Sequence, residues 1–92
     1  MAYAILIADK AKLNIKNASD YYGKISTSLK NRFTIQLTTT IDSLKENPLH
    51  YQIRYREIRI TYTKIFSFGI HFIVEDEIIY ILNVLHTRQF YK

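Results

Sequence analysis

Tyr55-Arg-Glu-Ile-Arg-Ile-Thr-Tyr-Thr-Lys-Ile-Phe-Ser-Phe-Gly-Ile-His-Phe-Ile-Val74, followed by Glu75-Asp76-Glu77 and Ile78-Ile-Tyr-Ile-Leu-Asn-Val-Leu-His86, is the stretch that decides the fold. Ile58, Ile60 and Tyr62 alternate with Glu57, Arg59 and Thr61, and Phe66, Phe68, Ile70, Phe72 and Val74 alternate with mostly smaller or polar residues. A period of two is the signature of strands with one face in a core. Ile78 to Leu85 is apolar except for Asn83, which suits a central strand, and the acidic triplet supplies the turn into it. A polar tail follows, His86-Thr87-Arg88-Gln89-Phe90-Tyr91.

Upstream of Pro48 the period is 3.6. Ala11, Ile15, Ala18, Tyr22 and Ile25 form one helical stripe, with Asp9 placed as its N-cap and Gly23 as its stop. Leu29, Phe33, Leu37, Ile41 and Leu44 form a second stripe, capped within Ser26–Ser28 and closed by Asn47-Pro48. So short a connection predicts an antiparallel helical hairpin. Ala2–Ala8 is apolar on both faces and reads as an interior strand. The expected order is β-α-α-β-β-β in one domain over residues 1–92: an α+β fold with an antiparallel sheet and the hairpin on one face.

Thirteen Lys plus Arg against eight Asp plus Glu give a formal charge of +5, which favours acidic partners. There is no Cys, so disulfides and thiolate chemistry are excluded. With only Gly23 and Gly69 there is no glycine-rich phosphate loop. His50, His71 and His86 lack carboxylates at ligand spacing, so no metal or cofactor is expected. No apolar run approaches the roughly 20 residues of a membrane span, and a cytoplasmic location is expected.

Candidate functional groups therefore gather on the sheet: Arg54, Arg56, Arg59, Lys64, His71, His86, Arg88 and Tyr91. Their faces depend on the hairpin turn. A two-residue loop sets Glu75 opposite Ile78, His71 opposite Leu82 and Ser67 opposite His86. That register collects His71, His86 and Arg88 beside Ser67 and Gly69, and it places Asn83 on the apolar face. A three-residue loop reverses the parity and puts His86 on the Phe66-Phe68-Ile70 side. The two-residue case is preferred because it unites the polar residues. Bland readings compete with each functional one. The arginines serve equally as the solvated side of an edge strand, His71 as a core histidine, and Lys10, Lys12, Lys16, Lys24, Lys30 and Lys45 as ordinary solvated positions.

Several pieces in order resemble the RelE/ParE superfamily of bacterial toxins, often labelled plasmid stabilisation proteins. They are Tyr3-Ala4-Ile5; Ala11 to Tyr21-Tyr22; Arg32-Phe33; Ile41-x-x-Leu44 before Asn47-Pro48; Ile58-Arg59; Phe66-x-Phe68-x-Ile70-His71-Phe72; and Ile79-x-Ile81-Leu82-x-Val84-Leu85-His86-Thr87-Arg88. Ser67 departs from the Pro that many relatives carry after the Phe. The resemblance implies a growth-inhibiting toxin neutralised by an acidic antitoxin encoded beside it. RelE-type members cut mRNA on the ribosome without a metal, by 2′-hydroxyl attack, whereas ParE-type members bind DNA gyrase and have lost the nuclease residues. On the nuclease reading Arg59, His86, Arg88 and Tyr91 would be catalytic, with Arg54, Arg56, Lys64 and His71 holding substrate. Their retention favours cleavage, with gyrase binding as the alternative and an inactive basic interaction module as the third reading.

Overall fold

A computed structural model describes residues 3–90, with the side chains of residues 89 and 90 outside the description. Strand β1 is Ala4–Ile7, followed by α1 (Asp9–Ile25) and α2 (Thr27–Ser43), then a 3-10 turn at Pro48–His50. The sheet continues with β2 (Ile53–Tyr55), β3 (Ile58–Tyr62), β4 (Phe68–Glu75) and β5 (Ile78–His86), and the short helix α3 (Thr87–Phe90) closes the chain. The five strands lie in the order β1-β5-β4-β3-β2. This is the expected α+β architecture, with two differences.

First, the sheet is mixed rather than antiparallel: β1 runs parallel to β5, Ala4 beside Ile78 and Ile7 beside Ile81. The two strands are joined through the helical hairpin, the kind of long connection that parallel neighbours require. Second, the arginine-bearing strand is two strands. Arg56 and Glu57 both adopt positive φ (47° and 77°) and fold β2 back on β3, with Tyr55 beside Ile58. Two consecutive positive φ angles are the mark of the tight turns whose twist matches a hairpin.

The helices depart from expectation only at their ends. Asp9 is the first residue of α1, Ala8 precedes it with no side-chain cap, and the helix runs through Gly23 to Ile25. The Ser26 hydroxyl does cap α2, accepting the Leu29 amide at 2.9 Å. One residue joins the helices, and they pack together on one face of the sheet. Ala11, Phe33, Leu37, Ile41 and Leu44 meet Phe68, Ile70, Phe72, Ile79, Ile81 and Val84 in a single core. The rings of Tyr22, Phe33, Phe66 and Phe68 stack edge-on or tilted within it, centroids 5.0–6.4 Å apart. The pairs of such a cluster add to its burial energy.

Candidate functional site

The β4–β5 hairpin positions most of the candidates. Its turn has the expected two residues: Glu75 opposes Ile78, and Asp76 takes φ 54°. The register then slips at a bulge between His71 and Phe72. Phe72 pairs with Ile81, but His71 pairs with Asn83, and Phe68 with His86. One extra residue on β5 reverses every face beyond it. His86 consequently sits on the helix side, its ring 5.3 Å from that of Phe68 and edge-on to it. The expected grouping of His71 with His86 and Arg88 is thereby corrected, and so is the placement of Asn83 on the apolar face. The bulge sets Asn83 opposite His71, away from the helices. Val84, now facing the core, donates its amide to the Asn14 side chain of α1 at 3.1 Å.

His71 is 1% exposed, on the face opposite the helical hairpin. Its Nδ1 lies 2.9 Å from the Tyr55 hydroxyl, and burial lowers its pKa from the ordinary histidine value. It is therefore neutral near pH 7. Beside it the Asn83 Oδ1 is buried without a hydrogen-bond partner among the described residues. These groups make a polar patch on the sheet, and neither Tyr55 nor Asn83 was singled out by sequence. The three-residue spacing between core-facing Ile81 and Val84 is the signal that would have revealed Asn83.

Arg59 pairs with Phe72 and so shares the helix-side face. It is half-buried, and its Nη1 donates to the Tyr51 carbonyl at 3.0 Å, while the Tyr51 ring packs edge-on against Phe72. Arg59 is thus spent on fastening the segment after Pro48 to the sheet. It is also far from His86. Their partners on β4, Phe72 and Phe68, are four residues apart, about 13 Å along the strand, and the two residues sit on either side of β4, about 10 Å across. A separation of roughly 16 Å keeps them off one phosphate.

The remaining candidates scatter. Arg54 is exposed on β2, Arg56 stands at the tip of the β2–β3 turn, and Lys64 is exposed in the loop after β3. Arg88 is exposed in α3, where its amide donates to the His86 Nδ1 at 3.1 Å. Tyr91 lies outside the described residues. Among the described residues no three His, Asp or Glu side chains cluster as a metal site, and no helix is long and apolar enough to cross a membrane.

What the surface does offer is two open grooves of about 560 Å³ each, flanking the hairpin. One lies between α1 and the ends of β4 and β5, walled by Tyr21, Ile25, Phe68 and His86. The other lies between α2 and the β3–β4 loop, walled by Arg32, Ile35, Lys64 and Ile65. Tyr21, Ile25, Ile35 and Ile65 are each more than half exposed. Exposed apolar side chains gathered in a groove are the kind of surface on which a partner can dock.

A small α+β domain with a helical hairpin packed on a five-stranded sheet is the architecture that the resemblance to the RelE/ParE toxins led us to expect. The family model described as the ParE toxin of the type II toxin-antitoxin system parDE matches residues 5–91. The chain belongs to that family, and is thus a toxin of a type II toxin-antitoxin system. Among solved structures it is similar to the chromosomal ParDE system from P. aeruginosa, with TM-score 0.81 and 16% identity over 92% of this chain and 96% of that one. At that identity the likeness establishes the fold. No curated protein matches the sequence.

Proposed function

We propose that this toxin arrests growth by binding DNA gyrase without cleaving RNA, and that an acidic antitoxin encoded beside it holds it inactive. The observation that carries this reading is the dispersal of the nuclease candidates. Metal-independent cleavage needs a base, a phosphate clamp and an acid converging on one phosphate. Here Arg59 is bonded to the Tyr51 carbonyl, His86 packs on Phe68 at the far end of the sheet, and His71 is buried on the other face. Membership of the ParE family supports the same choice. The charge of +5 suits an acidic antitoxin, whose encounter it would accelerate.

The test is to express the chain alone in a bacterial host and follow growth, plasmid topology and mRNA 5′ ends together. Growth arrest with altered supercoiling and unchanged 5′ ends is expected. Codon-phased cuts that disappear in an Arg59→Ala, His86→Ala double variant would overturn it in favour of ribosome-dependent cleavage.

A further inference from the structure

The outer edge of the sheet at β1 is short, but it lacks the other usual protections. Ala4-Ile5-Leu6-Ile7 carries no charge, no proline and no bulge, and among the described residues no strand lies beyond it. Edges of this kind template pairing with another strand, and natural proteins normally blunt them with lysine, proline or irregularity. The opposite edge, β2, has Arg54 and an irregular register. The backbone directions on β1 are settled by two bonds to β5: the Ala4 amide donates to the Glu77 carbonyl and the Ala8 amide to the Ile81 carbonyl, both at 2.9 Å. By alternation, Tyr3, Ile5 and Ile7 aim their amides and carbonyls outward.

We propose that a second copy of this chain covers this edge, β1 pairing antiparallel with its twin about a dyad at Ile5 to make one continuous ten-stranded sheet. The edge is self-complementary in this arrangement. Ile5 opposes its counterpart, Tyr3 opposes Ile7 of the other copy, and all three are outward-facing, so every pairing forms ladder hydrogen bonds. On the face away from the helices, Leu6, 51% exposed, lands opposite the small Ala4 of the other copy.

Charge agrees with the antiparallel sense. The acidic turn Glu75-Asp76-Glu77 stands at the start of β1, through the Ala4–Glu77 bond, and Lys10 and Lys12 follow its end. Antiparallel pairing brings the acidic turn of each copy to the lysine end of the other, whereas parallel pairing would set like ends together. Two four-residue strands, each with one exposed leucine, fall short of the ~1,200 Å² at which stable interfaces begin. The dimer is therefore a weak one, with a dissociation constant on the order of micromolar to tens of micromolar.

Sedimentation from about 1 to 200 µM tests this on the isolated toxin, purified as a complex and separated from its antitoxin. Mass is expected to rise from monomer to dimer across that range, to fall back at high salt, and to stay monomeric throughout in Leu6→Lys, which adds the charge that protects ordinary edges. A second variant guards against misreading a damaged fold. The chain has no cysteine, so an Ala4→Cys, Leu6→Cys double variant has thiols only at the two positions that face each other across the dyad. Oxidation should convert it to a covalent dimer, and an Ile35→Cys control on α2 should remain monomeric. A wild type that stays monomeric at 200 µM, a dimer that survives Leu6→Lys, or a double variant that cross-links no better than the control would each overturn the inference.

Discussion

Arg59→Ala separates a structural arginine from a catalytic one, because the structure assigns the side chain a defined mechanical task. Its guanidinium donates at 3.0 Å to the Tyr51 carbonyl from a half-buried position beneath the segment that follows Pro48. A hydrogen bond from a charged donor contributes about 1.5–3 kcal/mol, and the partial exposure here argues for the lower end. Removing the side chain also strips packing from its aliphatic stem, alongside Tyr51 and Phe72. The expected loss is roughly 2 kcal/mol, which for a domain of this size lowers the melting temperature by on the order of 10 °C. Thermal unfolding followed by circular dichroism measures it directly. Arg59→Lys should recover little of the loss, since an ammonium on a shorter, unforked stem does not reproduce the donor geometry. Compared at equal folded concentration and at 20 °C, Arg59→Ala should inhibit gyrase supercoiling as well as the wild type. A variant with wild-type stability and no growth inhibition would refute this reasoning and return Arg59 to the target-facing site.

Two further outcomes follow from the helix-free side of the sheet. His71 has its pKa lowered by burial, so below about pH 6.5 the unfolded chain binds a proton that the folded chain resists. Stability should therefore fall as pH drops from 6.5 toward 5, by up to about 1.4 kcal/mol per pH unit. Denaturant midpoints across that range should show the slope in the wild type and a flatter profile in His71→Gln; equal slopes would count against it. Gly69→Ala would place a Cβ 3.3 Å from both the Ile60 Cγ2 and the Tyr62 Cε1. Tyr62 is 38% exposed and can yield, but Ile60 is 5% exposed and cannot, so a loss of about 1 kcal/mol is expected in urea titration.

How far the sequence could be read depended on whether each signal was local. The helical stripes, the Ser26 cap and the Asp76-Glu77 turn are set by residues within a few positions of one another, and they stand as expected save for Ile25, which ends the first stripe 59% exposed. The β2–β3 turn at Arg56-Glu57 was hidden because neither residue is one that usually takes positive φ. Gly23 misled in the opposite direction. Its position looks like a helix stop, yet α1 continues to Ile25, and a Cβ there would stand 3.1 Å from the Lys30 side chain. Gly23 is therefore no left-handed cap, and the Cβ it lacks would meet only the exposed, flexible Lys30 side chain, which can move aside.

The candidate site was far less legible, and the bulge on β5 explains why. From Glu75 to Phe72 the alternation rule places every side chain correctly, because the turn fixes the register there. One added residue at Leu82-Asn83 then exchanges the faces of everything that follows. Had the ladder stayed regular, His86 would have joined His71 on the open face and the polar residues would have formed a cluster worth reading as catalytic. The slip instead brings Val84 into the core and leads its amide to Asn14, which ties α1 to the sheet. It also carries His86 to the wall of the α1 groove and leaves half-buried Asn83 beside His71, its buried Oδ1 without a partner among the described residues. A single insertion in one strand thus joins α1 to the sheet and separates the histidines that a nuclease site would have used together.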